Sequence, residues 1–329
     1  MNKLIIILMF VLQAEITIGS HVFTQVNDVQ IHESRHTIGD TAVVKLPRLL
    51  TQLNKEIQVG AEATIKLGYE DVYFETEFVG YVSKISPNFP YTVELEDTNF
   101  HAKRTNLLKA FKATTLKEVV DYIVSEISTQ TGASVNVANE VPEVEFEKFR
   151  LNNVSATEAF AKLKKEYGLS IYFRGSDLYV GLPFGDTQSA GITVNYSTSW
   201  NIIKSNLKFV SEDDKKIKIK AISILKDNSK LEVEVGDSNG EQRTLHYYKI
   251  SNKAKLEELA KAQLDELKYT GFEGGFKTFL IPAAHHGMVA NIKDPDFDEG
   301  RAGNYLIDSV TTSFGQQGAR RNIELGILL

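Results

Sequence analysis

The stretch that most constrains the fold runs from Val59 to Phe100, VGAEATIKLGYEDVYFETEFVGYVSKISPNFPYTVELEDTNF. Polar and apolar side chains alternate through Thr64-Ile65-Lys66-Leu67, stop at Gly68-Tyr69, and alternate again from Glu75 to Ile85. Ser86-Pro87-Asn88-Phe89-Pro90 breaks the chain, and Tyr91 to Leu95 resumes the two-residue period before Glu96-Asp97. A period of two places one apolar face on each strand, so this is a meander of at least three antiparallel strands over a shared core. Such a face has to be covered by more sheet, as in a barrel or sandwich. Nothing in the stretch positions a nucleophile, a base or a phosphate cradle, so it points toward assembly.

The preceding residues extend the same texture. His21–Phe23, Val26–His32 and Asp40–Leu46 read as strands, the last ended by Pro47. The start of the chain reads two ways. Lys3 followed by LIIILMFVL has the charged and apolar parts of a secretory signal, too short to span a bilayer, so no stable membrane insertion is expected. Ala14 to Ile18 alternates instead like a first buried strand leading into Gly19-Ser20.

At Thr114-Thr115 the pattern changes. Leu116, Val119, Val120, Ile123, Val124 and Ile127 share one helical face, with Thr115 and Glu118 spaced as a capping box and Gly132 beyond the end. Strands follow at Ser134–Val137 and Phe146–Leu151. A second helix opens at Ser155 with Glu158, and a hairpin joins Ser170–Phe173 to Leu178–Val180 about Gly175-Ser176-Asp177. From Asp186 the texture is β again, with one helix after Ser251-Asn252. The expected fold class is mainly β with an α+β insertion: two β-barrel domains, residues 1–113 and 187–329, flanking a small α+β domain at 114–186.

Composition removes several functions. The 329 residues carry a net charge of −6, which argues against a general nucleic-acid binder. There is no cysteine, so disulfides and thiolate metal sites are excluded. The chain has none of the nucleophile-elbow, Walker, HExxH or dinucleotide patterns, and no catalytic residue or cofactor is expected.

Four groups remain as candidates for chemistry. Asp294, Asp296 and Asp298 lie in the densest acidic run and form a possible cation loop. A calcium loop wants glycine at its sixth position and a carboxylate at its twelfth, where this run has Glu299 and Tyr305, so a solvated turn is the simpler reading. His285-His286 is the paired imidazole, in an apparent loop without the i, i+4 spacing of a zinc protease; a surface or interface role is expected. Glu94, Glu96 and Asp97 read as a solvated strand face in preference to glycosidase acids. Lys215, Lys216, Lys218 and Lys220 form either a basic patch or, with Ile217 and Ile219 between them, a half-exposed strand whose lysines guard an edge.

Three segments in order, ITIGSHVF with VNDVQIHESRHTIGDTAVVKLPR, then FVGYVSKISPNFPYTVELED, then IPAAHHGMVANIKDPDFDEGRAGNYLIDSVTTSFGQQGARRNIELG, resemble the late control D protein family. These proteins are the baseplate hubs of contractile phage tails, similar also to the hub part of the valine-glycine repeat spike of type VI secretion. The resemblance covers nearly all of the chain. It implies a virion structural protein of the tail baseplate, assembled in the host cytoplasm. It implies a homotrimer whose two tube-protein-like barrels per chain present six copies to a hexameric tail tube, while the other end seats the central spike protein. Tape measure and other baseplate proteins are further implied partners. The segment LNNVSATEAFAKLKKEYGLSIYFRGSDLYVG is also similar to the small modules of secretin N-terminal regions, which keeps an exported envelope-binding module as the alternative. A cell-wall hydrolase using Glu94 or Asp298 is a third reading.

Overall fold

The computed structural model describes residues 11–47, 57–87, 89–181, 192–225, 227, 229–248, 250–296 and 301–329. The chain begins with β1 (Leu12–Ile18) and β2 (His21–Phe23), then β3 (Asp28–Ser34) and β4 (Thr41–Leu46). The expected meander is β5 (Glu62–Tyr69), β6 (Tyr73–Ser86) and β7 (Tyr91–Glu96). Antiparallel pairing runs β3-β4-β7-β6-β5-β1-β2. The alternation does what its period requires: Ile16, Ile31, Val44, Ile65, Leu67, Val82 and Val93 are all buried in one core.

β1 pairs residue by residue with β5, Leu12 opposite Tyr69 through Ile18 opposite Ala63. Residues 12–18 are therefore a core strand, and cleavage near residue 20 would remove a strand from the sheet interior. Residues 1–10, which carry most of the apolar run, lie outside the described residues.

The middle region comprises α1 (Asn99–Ala102), β8 (Asn106–Thr115), α2 (Leu116–Thr131), β9 (Asn136–Val137), β10 (Glu145–Ser155), α3 (Ala156–Tyr167), β11 (Ser170–Arg174) and β12 (Asp177–Gly181). Both expected capping boxes are present, Thr115 with Glu118 and Ser155 with Glu158, and both helices end on left-handed glycines, Gly132 and Gly168. β8 pairs with β10 as a separate ribbon, so a single strand runs through the boundary expected after residue 113. Ser155→Ala removes the acceptor for the Glu158 amide. It should cost about 1 kcal/mol, read as a shift in the urea midpoint with an unchanged slope.

The last region holds β13 (Thr193–Ser197), β14 (Ile202–Ser205), β15 (Lys208–Val210), β16 (Ile217–Ile224), β17 (Lys230–Gly236) and β18 (Glu241–Tyr248). After them come α4 (Lys253–Leu267), β19 (Gly271–Glu273), β20 (Gly275–Thr278), β21 (Val289–Lys293), β22 (Gly303–Gly315) and β23 (Gly318–Leu328). Two findings refine the expected layout. First, β22 pairs with β3, Ser309 opposite Ser34 through Gly315 opposite Asp28, so the first and last β regions share one sheet. Each keeps its own core, one around Ile65 and Val93, the other around Tyr196, Phe276, Tyr305 and Ile323. Second, α4 packs on the sheet β17-β16-β18 around Ile219, Ala221, Leu256 and Ala260, a separate unit within the last region.

That unit corrects the reading of the lysines. β16 is the central strand of its sheet, so Lys218 and Lys220 guard no edge; they pair across to β17, with Glu234 at 2.6 Å and Glu232 at 2.7 Å. Lys215 is buried, its ammonium 2.8 Å from Glu273 and over the ring of Tyr269. The neighbouring carboxylates neutralise what the sequence offers as a basic patch.

Candidate functional site: buried charges at the seam

Where β3 meets β22, the protein buries a set of charged groups drawn from all three regions. Strand phase explains how they arrive there. In β23 the inward positions are Ala319, Arg321 and Ile323, so the pleat points a guanidinium into the core. In β6 the register slips between Phe78 and Thr76, which face Ile65 and Lys66; Glu77 is the extra residue and turns inward. β3 buries Val29, Ile31 and then Glu33 in the same phase.

Arg321 has all five of its donor directions filled. Nη1 and Nη2 donate to the two Glu77 carboxylate oxygens at 2.7 Å each. Nη1 also donates to Thr312 Oγ1 at 3.1 Å, Nη2 to Tyr73 Oη at 3.1 Å, and Nε to the Leu280 carbonyl at 3.1 Å. The side chains are 0% and 1% exposed, so this forked pair sits in low dielectric with no unpaired N–H on the guanidinium. Burial alone would lower the Arg321 pKa; the charge and hydrogen bonds of Glu77, together with Tyr73 and Glu33, outweigh it and hold the group firmly cationic. Burial and the Glu77 charge push the Tyr73 phenol upward.

Beside this pair lie the two histidines. They do not lie free at the surface, as their loop setting suggests: His286 is buried and His285 half-buried against the first β region. His285 Nδ1 is 2.8 Å from Glu33 Oε1, and His286 Nε2 is 3.0 Å from Asp40 Oδ2. The Glu33 carboxylate raises the His285 pKa against the opposing effect of burial. Burial pushes Glu33 up, but the charge and hydrogen bond of His285, with His286 and Arg321 behind it, hold Glu33 below its ordinary value. Burial drives His286 down to about 3, so that ring is neutral at neutral pH. Asp40 is pushed well up by burial and by the charge of Glu33.

Asp97, read from the sequence as part of a solvated face, is 0% exposed. Its oxygens accept the backbone N–H groups of Asp40 at 2.8 Å and Asn99 at 2.9 Å, fixing the loop that carries Asp40. Glu94 and Glu96 do stay at the strand surface, in ion pairs of 2.8 Å with Lys84 and Lys103. From the middle region, Arg174 donates to the His286 carbonyl and Tyr172 packs edge-on against the His286 ring.

Of the acidic loop, Asp294 accepts from Thr198 Oγ1 at 2.8 Å and Asp296 is exposed; Asp298 lies outside the described residues. Among the described residues, the group of three metal-capable side chains that converge is Glu33, Asp40 and His286, whose ligand atoms lie within 4.8 Å of one another. Sequence reading missed Glu33, Asp40, Glu77 and Arg321. The available signal was charge in the inward phase of an alternating strand, at Glu33 after Val29 and Ile31 and at Arg321 between Ala319 and Ile323.

No protein-family model matches the chain, and no curated protein matches it in sequence. Solved structures do. A 43 kDa tail protein of prophage MuSo2 from Shewanella oneidensis superposes with a TM-score of 0.63 at 16% identity, over 96% of this chain and 98% of its own. A tail protein from Neisseria meningitidis superposes with a TM-score of 0.62 at 13% identity, over 95% of this chain and 96% of that one. The chain has the fold of phage tail proteins. The same tail-protein fold extends to a type VI secretion component of E. coli, itself structurally similar to the T4 tail proteins gp27 and gp5. That protein superposes with a TM-score of 0.61 at 10% identity, over 95% of this chain and 76% of that one. In the tail-protein fold of this chain, the buried charges lie where the first, middle and last regions meet, a position suited to holding their relative placement.

Proposed function

We propose that the chain is the structural hub of a contractile tail baseplate or related injection system, a homotrimer joining a hexameric tail tube to a trimeric central spike. The observation that carries this reading is the likeness to tail proteins over 95–96% of the chain, which takes in both β regions and the middle one. Two β regions locked into one sheet suit the role, since three copies supply six similar units to a sixfold partner.

The ends of that sheet support it further. The long pairing path terminates at β14 and β2, whose outer edges pair with no further strand among the described residues. Val22 on β2 is 59% exposed, Ile203 on β14 is 42% exposed, and just before β14 stands Trp200, the single tryptophan, at 77%. Apolar side chains at the two ends of the pairing path suit contact between copies. The role is structural and needs no catalytic group. Tail tube, spike, tape measure and other baseplate proteins are the partners this reading implies, and the virion baseplate is its location.

Light scattering at micromolar concentration should give three times the 36.8 kDa chain mass. A monomer, together with absence of the chain from purified tail particles, would overturn the proposal. Trp200→Asp should shift the trimer toward monomer while leaving the circular dichroism spectrum unchanged.

A further inference from the structure

We propose that Glu33, Asp40 and His286 bind a divalent transition-metal cation, zinc foremost, which clamps the last β region to the first. The three side chains come from the end of β3, the loop before β4 and the loop before β21, and are 3%, 3% and 0% exposed. Their ligand atoms already converge within 4.8 Å.

Two further observations point to a ligand there. Glu33 Oε2 is buried and has no hydrogen-bond partner among the described residues. Leaving a carboxylate oxygen unpartnered in a dry interior is costly, and native proteins satisfy such atoms with a bound water or ion. The charge balance also favours a cation. Glu33, Glu77, Asp40 and Asp97 are all buried carboxylates, and the guanidiniums bonded into the cluster are those of Arg321 and Arg174. A bound cation relieves the repulsion between the neighbouring Glu33 and Asp40 carboxylates, beyond what His285 beside Glu33 supplies.

The donor set selects the metal. Imidazole nitrogen with two carboxylates suits zinc and its first-row neighbours, whereas calcium takes oxygen donors alone. Two ligands of a tetrahedral zinc stand about 3.3 Å apart, and His286 Nε2 is 3.0 Å from Asp40 Oδ2, so binding needs little rearrangement. His285, 2.8 Å from Glu33 Oε1, is placed to orient that ligand from outside the metal's own shell. A second carboxylate oxygen or a water can complete the coordination.

The test uses the full untagged chain. Elemental analysis after extensive dialysis should find about one zinc per chain, or take-up of one equivalent when ZnCl2 is added. Dipicolinate should then lower Tm by several degrees, and ZnCl2 should restore it. Glu33→Gln and Asp40→Asn should each lose both the metal and the dipicolinate effect. If either variant fails to fold, Co2+ loaded into the unaltered chain provides the reading, through visible absorption characteristic of nitrogen and oxygen ligation. The proposal fails if ZnCl2, MnCl2 and CaCl2 all leave Tm unchanged and no metal is retained, which would assign the charge balance to protons and water. It also fails if calcium binds in preference to zinc, or if the metal persists in both variants.

Discussion

Arg321→Met should destabilise the protein by about 3–5 kcal/mol, because it strands the Glu77 carboxylate in a dry interior. The loss goes beyond one ion pair. Thr312 Oγ1, Tyr73 Oη and the Leu280 carbonyl each lose a donor at the same time, and Leu280 belongs to the segment leading to the histidine loop. The magnitude separates two roles for the network. A buried ion pair is often replaceable by apolar residues of like volume at little net cost, whereas breaking it from one side is expensive. The double variant Arg321→Met with Glu77→Leu should therefore recover much of the stability lost by Arg321→Met alone, with a coupling energy of about 1–3 kcal/mol. Urea denaturation of the unaltered chain, both single variants and the double variant supplies the four values. A single-variant loss under about 1 kcal/mol would mean that the seam is held by the β3–β22 ladder and not by the charges.

Gly80→Val should be nearly as damaging, for a steric reason. A Cβ built at Gly80 would lie 2.2 Å from the Glu96 carbonyl oxygen and 2.8 Å from the Phe78 ring. The first obstacle is backbone in the paired strand β7, which cannot swing aside as a side chain can. Relief requires β6 and β7 to part, with a cost of about 3 kcal/mol, the upper end for overpacking. Hydrogen exchange should show faster opening of the amides between Tyr81 and Ser86 and their partners in β7. Val79→Thr, one residue away and 51% exposed, should leave both stability and exchange within error.

Much of the fold was legible because much of it is local. Alternation located β5, β6 and β7 to within two residues, and the capping boxes located α2, with Gly132 beyond its end, and the start of α3. The short β14 and β19 carry too few residues to show a period, and α1 is a single turn. The site was legible only in pieces. His286 and Asp40 are 246 residues apart, and Arg321 and Glu77 are 244 apart, so no local pattern links them. His285-His286 drew notice as a pair, but a loop setting implied exposure, and its burial depends on β3 and β11 closing around it. Asp97 misled for the same reason: its alternating neighbours Glu94 and Glu96 face outward, while the chain leaves the strand at Asp97 and turns under the sheet.

The β3–β22 pairing also sets a schedule for biosynthesis. Ser34 and Ser309 are partners, so at a ribosomal rate of about 5–20 residues per second β3 waits roughly 15–60 s for its neighbour. During that interval the nascent chain presents the bare flank of the first region's part of the sheet, with Glu33 at the end of β3 along it. A stalled or prematurely terminated product lacking residues after about 300 would keep that flank permanently and be prone to join other chains. Expression of such fragments should yield aggregates unless the missing hairpin, β22 with β23, is supplied as a separate polypeptide. In the intact protein the β22–β23 hairpin covers the flank that β3 otherwise leaves bare.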